Sequence, residues 1–326
     1  MRIMSEIEKR EPLLQVEDLV QTFGKGKSAV TVVHKVSFSI HEGEVFGLVG
    51  ESGSGKSTIG KCIIGLNEPS GGSIRLSGAE LVGKNAAAER EKARDSIQMI
   101  FQDPMSSLNP RKKIGDIVGA GLDIRKTCKD KKERDRLVGD MLEKVGLARE
   151  QADRYPGQFS GGQRQRAGIA RALITNPKLI IADECIAALD ASIQAQVVNM
   201  LKQIQRETGT AFLFISHDLS MVRYLSDRIG VLHLGYLLEI GTTQEIFSNP
   251  IHPYTRNLLA AIPRPNPIMQ IHTGPRYDYE TSGVLYENGG WHDVKGQEGH
   301  KVWCTDLEFD KWTGGGNAAQ EGGGAA

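Results

Sequence analysis

A strand, a glycine-rich turn and a helix follow one another between residues 45 and 66, and this unit limits the folds open to the chain more than any other feature. Val45 to Val49 is an apolar run of strand length; Gly50, Glu51, Ser52, Gly53, Ser54, Gly55, Lys56 and Ser57 follow, and an apolar helix is expected from about Lys56 to Leu66. Glycines in such a turn let backbone N–H groups point inward at a helix N-terminus, so the loop is built to surround phosphate oxygens. Lys56 is placed to reach the β and γ phosphates of a nucleotide and the Ser57 hydroxyl to bind Mg2+; with Thr58 these are the candidate nucleotide-binding positions.

The flanking pattern predicts a largely parallel sheet covered on both faces. Leu13 to Phe23 and Val30 to Ile40 read as antiparallel, half-buried strands, the second with Val36, Phe38 and Ile40 alternating against Ser37 and Ser39. Further strands are expected near Ser73–Leu76, Ile97–Phe101, Lys178–Asp183, Ala211–Ser216 and Arg228–Leu232, with helices over Ala86–Asp95 and Ser192–Arg206. Strands alternating with helices imply right-handed crossovers in an α/β core. Residues from about 102 to 173 read as an inserted helical subdomain, in which the mixed-sign run Lys129–Arg136 is a solvated helix face. Beyond Ile262 the composition shifts to prolines at 263, 265, 267 and 275 and then to all three tryptophans, Trp291, Trp303 and Trp312. There a small β-rich appendage is expected, with a hairpin over Leu285–Val294 turning at Asn288 and Gly289, a strand over Lys301–Phe309, and a mobile end at about 314–326.

Lysine plus arginine equals aspartate plus glutamate at 40 each, so the charge gives no nucleic-acid footprint. Cys62, Cys128, Cys185 and Cys304 lack the paired spacing of a zinc site or a disulfide framework, which fits a reducing compartment. No apolar run approaches the roughly 18 residues of a spanning helix, so membrane attachment is expected through a partner.

A second set of residues carries chemistry. The apolar strand Leu179–Ala182 ends in Asp183 and Glu184, at the carboxyl edge where open parallel sheets present their catalytic groups. Asp183 is expected to hold the metal through water and Glu184 to polarise an attacking water. Phosphoryl transfer to water needs little beyond positioning and charge stabilisation, so these two motifs alone predict a Mg2+-dependent ATPase. Phe159, Ser160, Gly161, Gly162, Gln163, Arg164, Gln165 and Arg166 then open another helix with a second anion-binding N-terminus. One ATP does not need two such devices on one chain; a head-to-tail pair, each chain completing the other's site, uses both.

In this order the motifs resemble the ABC ATPase family over about Leu13 to Ile262. The resemblance implies a P-loop (RecA-like) nucleotide-binding core with an antiparallel β lobe, the inserted helical subdomain and the small C-terminal β-rich appendage, divided as an ATPase domain over 1–262 and a tail over 263–326. It makes Ser160 and Gly162 of the signature motif face the γ phosphate held by the partner. Phe23 becomes the residue that stacks on adenine, Gln102 the glutamine that senses Mg2+ and the γ phosphate, Asp190 the D-loop aspartate and His217 the switch histidine. Phe101, Gln102, Asp103 and Pro104, the run Ser106–Arg111, and Asn249–Pro263 with His252, Pro253, Tyr254 and Thr255 resemble the oligopeptide and dipeptide importer ATPases. Arg111 resembles the second of their two ATPases, and Gly299, His300 and Val302 echo their terminal segment.

The implied function is the ATP-hydrolysing subunit of a peptide importer, peripheral on the cytoplasmic face of the membrane. Its implied partners are a second ATPase in a heterodimer, two transmembrane permeases and an extracytoplasmic substrate-binding protein, with no nucleic acid. Nickel and oligosaccharide importers, and non-transport ABC ATPases, are the alternatives. The chain departs from the family in three places: only Cys304 stands in a tail where many relatives hold an iron–sulfur cluster, so no cluster is expected; Cys185 replaces a usual proline; and Ala187 replaces a usual D-loop serine.

Overall fold

The computed structural model describes residues 11–83, 86–93, 95–103, 107–187, 189–262 and 277–314. Within them the chain runs β1 (Leu14–Phe23), β2 (Val30–Ile40), β3 (Val45–Val49), α1 (Lys56–Ile63), β4 (Gly71–Leu76), β5 (Ala79–Glu80), α2 (Ala87–Ala93) and β6 (Ile97–Ile100). It continues through α3 (Ile114–Arg125), α4 (Lys131–Lys144), α5 (Gly161–Leu173), β7 (Leu179–Asp183), α6 (Ala191–Thr208), β8 (Ala211–Ser216), α7 (Leu219–Leu225), β9 (Arg228–His233) and β10 (Tyr236–Thr242). Last come α8 (Thr243–Ser248), α9 (Pro253–Ala260), α10 (Tyr279–Ser282), β11 (Gly290–Asp293), β12 (Lys301–Cys304) and α11 (Asp306–Thr313).

Two sheets form: a four-stranded one in the order β2-β1-β4-β5 and an eight-stranded one in the order β11-β12-β10-β9-β3-β8-β7-β6. β6, β7, β8, β3 and β9 are mutually parallel, as the strand–helix alternation requires, while β10, β12 and β11 extend the sheet antiparallel. β3 lies in the interior of this sheet, and all of its residues are buried. Successive side chains leave a strand on opposite faces. Phe46 and Leu48 therefore join the core beneath β1, β2, β4 and α1, whereas Val45 and Val49 join the core formed with α3, α5 and α6. On each face a fully buried Phe or Leu contributes about 1.5–3 kcal/mol, and the two layers leave the carboxyl ends of the parallel strands as the open edge.

The inserted segment is helical as expected, in α3, α4 and α5. Its charge run lies along α4, whose inward face is Val138, Gly139 and Leu142; Arg134 reaches across to α3 and donates to both carboxylate oxygens of Asp123 at 2.6 and 2.8 Å.

The C-terminal appendage differs from expectation in detail. The hairpin does not turn at Asn288 and Gly289: it pairs β11 with β12, and the turn lies between Val294 and His300. Residues 286–288 form a 3-10 turn instead, held because Trp303 Nε1 donates to the Tyr286 carbonyl at 2.8 Å with its indole where a Gly289 Cβ would be. Strand β12 also stops at Cys304. Thr305 begins α11 with a reciprocal cap, Thr305 N–H donating to Glu308 Oε2 at 2.9 Å, a box legible in the sequence as Thr-Asp-Leu-Glu. The strand β10 had no counterpart in the sequence reading. Prolines 263, 265, 267 and 275, Pro104, Ser106 and the end from 315 onward lie outside the described residues.

One buried carboxylate joins the appendage to the sheet. Glu239 of β10 is fully buried and accepts from Ile251 N–H at 2.7 Å, His252 N–H at 3.0 Å and His300 Nε2 at 2.8 Å. His252 in turn caps α9, its Nδ1 accepting from Tyr254 N–H at 3.0 Å. The His252 ring is enclosed edge-on by Tyr277, Tyr286 and Trp312, and its Nε2 has no hydrogen-bond partner among the described residues. Burial pushes the His252 pKa from 6.5 down to about 3.

That depression makes the fold acid-sensitive in a defined direction. The folded state keeps His252 neutral, so its contribution is present above the unfolded pKa near 6.5 and is lost as pH falls toward 3. Between pH 6.5 and 4.5 the loss amounts to about 2 kcal/mol from this group. Urea unfolding at the two pH values should show the wild-type chain losing more stability than His252→Asn, whose amide oxygen can still cap α9; equal losses would mean that His252 does not titrate on unfolding.

Candidate active site

The phosphate loop is shaped by how closely it approaches its surroundings. Gly50 leaves β3 beneath the carbonyl of Leu232 in β9: a Cβ on Gly50 would stand 2.0 Å from that oxygen. Gly53 and Gly55 have φ of +81° and +106°, a region costly for side-chain-bearing residues, and Gly55 is the N-cap of α1. On the far side Gly235 N–H donates to the Ser54 carbonyl at 3.0 Å, so the β9–β10 turn grips the loop from outside. The first N–H groups of α1 have no partner within the helix.

Lys56 is buried inside this turn, its Nζ donating to the carbonyls of Gly50 at 2.9 Å and Glu51 at 2.7 Å. Burial lowers its pKa, against the opposing pull of Glu184, Asp183 and Glu51. Ser57, one residue on, donates from Oγ to Asp183 Oδ1 at 2.7 Å, which brings the end of β7 against the start of α1. Burial raises the Asp183 pKa; the Ser57 hydrogen bond works against that rise and neighbouring Glu184 adds to it.

Glu184 stands just beyond, with φ of +43° and its N–H donating to the Ile215 carbonyl at 3.0 Å. A glutamate in the left-handed region is costly, of order 1 kcal/mol or more. The turn aims its carboxylate at two other residues singled out from sequence: Gln102 Nε2 donates to Oε2 at 3.0 Å, and His217 Nδ1 lies 3.4 Å from Oε1. Gln102 follows β6 and His217 follows β8, so three neighbouring parallel strands deliver these groups to one edge.

The structure thus brings together Gly50 to Thr58, Asp183, Glu184, Gln102 and His217. Ser160, Asp190 and Phe23 lie on other elements, at the starts of α5 and α6 and at the end of β1. Ser160 caps α5 reciprocally with Gln163, each side chain accepting from the other's backbone N–H at 3.0 and 3.3 Å. Asp190 is exposed at the N-cap of α6, and Phe23 is 43% exposed at the end of β1. Sequence reasoning missed the β9–β10 turn and its contact with the loop; its one local signal is the pair Leu234–Gly235, both with positive φ.

The donor set suits a nucleotide with a hard divalent cation. The Ser57 hydroxyl and the Asp183 carboxylate converge as oxygen ligands beside a glycine-lined cradle that admits no Cβ at position 50.

Comparison with known proteins agrees with this geometry. Residues 33–187 match the family model described as ABC transporter, and residues 238–279 match the one described as oligopeptide/dipeptide transporter, C-terminal region. The chain is 49% identical over 302 residues to the oligopeptide transport ATP-binding protein OppF of Bacillus subtilis, covering 92% of this chain and 98% of that protein. It is 54% identical over 267 residues to OppF of Streptococcus mutans, covering 81% and 85%. Among solved structures, the ATP-binding cassette MJ0796, a dimer in a post-hydrolysis state bound to ADP and Pi, superposes with a TM-score of 0.65 at 28% identity, covering 71% of this chain and 98% of that one.

The loop glycines should differ in what they tolerate. Gly50→Ala forces its methyl against the Leu232 carbonyl and should lower folding stability by about 2–3 kcal/mol. Gly53→Ala meets open space and should cost only the left-handed backbone penalty, about 1–2 kcal/mol. Chemical denaturation of both variants checks the order; equal losses would show that the β9 contact does not confine the loop.

Proposed function

Because the chain belongs to the oligopeptide/dipeptide branch of the ABC transporter ATP-binding proteins, we propose that its phosphate-loop edge hydrolyses ATP to power peptide uptake through membrane-spanning partners. The observation that carries this reading is the placement of Glu184, beyond Asp183 and between Gln102 and His217, at the edge where Lys56 and Ser57 also sit.

Each residue then has a task. The loop N–H groups and Lys56 bind the phosphates, with Lys56 exchanging its carbonyl partners for phosphate oxygens. Ser57 and Asp183 would hold Mg2+, with Gln102 as a further ligand; bound there, the cation would supply charge neutralisation for the phosphates and orient them. Glu184 orients the attacking water and accepts its proton as the bond to the γ phosphorus forms and the bond to the ADP oxygen breaks. His217 and Gln102 keep the Glu184 carboxylate on station. Phe23, exposed at the end of β1, stacks on the adenine.

Ser160, Gly161, Gly162 and Gln163 serve the site of a paired ATPase subunit, as does Asp190. One observation supports pairing: the similar MJ0796 cassette is a dimer in its solved structure. No helix among the described residues is long and apolar enough to cross a membrane, which fits attachment through permeases on the cytoplasmic face. The match over 238–279 and the OppF relatives favour oligopeptides as cargo; a second, related ATPase as the paired subunit is part of the same proposal and rests on the resemblance of Arg111.

The test uses two variants. Glu184→Gln keeps shape but cannot accept a proton, and should retain ATP binding while slowing phosphate release by about a hundredfold or more. Lys56→Ala should lose ATP binding itself. In vesicles reconstituted with the permeases and binding protein, both variants should stop peptide uptake; a Glu184→Gln chain that hydrolyses at the wild-type rate would refute the assignment of the base.

A further inference from the structure

The phosphate loop is held by a residue from far along the chain. Glu51 N–H donates to the hydroxyl oxygen of Tyr254 at 3.1 Å, joining the loop to the first turn of α9 across 203 residues of sequence. This N–H belongs to the same peptide group as the Gly50 carbonyl, and that carbonyl accepts from Lys56 Nζ at 2.9 Å. The Gly50–Glu51 peptide is thus clamped on both sides, by the lysine within the loop and by the tyrosine outside it. A peptide group is planar, so fixing its N–H also fixes where its carbonyl points.

Tyr254 is itself held firmly. It is 2% exposed, and its ring stacks on His233 of β9 with centroids 4.0 Å apart. His233 Nδ1 lies 2.8 Å from the Tyr286 hydroxyl, and Tyr277 packs edge-on against Tyr254 at 5.7 Å. The helix that carries Tyr254 is tied to β10 through Glu239, which accepts from Ile251 and His252 N–H groups and also from His300 of the appendage. The segment after β10 therefore presents one hydroxyl, on a rigid mount, to the backbone of the loop.

We propose that Tyr254 is a positioning residue for nucleotide binding: the C-terminal segment sets the orientation of the Gly50–Glu51 peptide, and through it the station from which Lys56 moves to phosphate. This rests on the reading of Gly50–Ser57 as the ATP site. The hydroxyl is the acting group, since it is the atom that reaches the loop, while the ring packs on His233 and Tyr277.

Tyr254→Phe removes the acceptor and keeps the ring. Loss of one such hydrogen bond should raise the ATP dissociation constant and KM about three- to tenfold, with kcat within about twofold of wild type. Tyr224→Phe removes a hydroxyl that donates to Asn199 of α6, outside the contacts that hold Tyr254, and should bind ATP as the wild type does. Fluorescent-nucleotide titration and steady-state phosphate release read both, with urea midpoints measured alongside. A Tyr254→Phe chain that binds ATP as tightly as wild type overturns the proposal, as does an equal loss of affinity in Tyr224→Phe. Amide hydrogen exchange on the wild-type chain gives a reading that no variant's folding can spoil: Glu51 N–H should be protected without nucleotide, and free exchange there also overturns it. If instead the wild type fails to bind ATP, or Lys56→Ala binds as well, the ATP-site reading falls and not the role of Tyr254 within it.

Discussion

The carbonyl of Leu232 and the backbone of Gly50 share a space that excludes even a methyl group, and much of the site's geometry follows from that approach. It fixes the direction in which the chain leaves β3, and so where the loop returns to begin α1. Because β3 is flanked on one side by β9 and on the other by β8, the loop is referred to both halves of the parallel sheet at once. The same confinement buries Lys56. A buried ammonium is costly without partners, and here carbonyls of the loop together with the nearby carboxylates of Asp183 and Glu184 offset that cost. The lysine is thereby held buried in a loop whose crest, Glu51 to Gly53, is exposed.

The parts of this arrangement that were legible in the sequence are the local ones. Glycines at 50, 53 and 55 before a lysine and an apolar helix specify a turn and a cap within one window, and Asp183–Glu184 after four apolar residues specify the end of a buried strand. Their meeting follows from topology: parallel strands must present their carboxyl ends on one side. Strand β10 was illegible because Glu239 interrupts its apolar pattern; a glutamate there is tolerable only because two backbone N–H groups and His300, distant in sequence, satisfy it. The misplaced hairpin has the same kind of cause. Asn288–Gly289 has the composition of a tight turn, but the Trp303 indole occupies that position and moves the turn to 294–300.

Tyr254 shows a third kind of illegibility. Its neighbours His252, Pro253 and Thr255 mark a recognisable run, yet nothing local says what the tyrosine touches. Pro253 at the first position of α9 and the His252 cap fix the helix start, and only the fold then places the hydroxyl against a loop two hundred residues earlier.

The signature segment invites a purely functional account of its glycines, and the structure adds a packing one. A Cβ on Gly162 would come within 2.8 Å of Ile193 Cγ2, so the first turn of α5 lies directly against the first turn of α6. Ile193 N–H in turn donates to the Asp190 carbonyl at 2.9 Å, which places the signature and the D-loop aspartate on one continuous patch. The Ser160–Gln163 box already satisfies two of the helix's end groups internally, so what α5 has left to offer an anion is the outward N–H groups of Gly161 and Gly162. A glycine at 162 is thus required by Ile193 whether or not a phosphate ever approaches, and its presence alone is weak support for a role in the partner's site. What packing within this chain leaves unexplained is the exposure of that helix start beside the equally exposed Asp190.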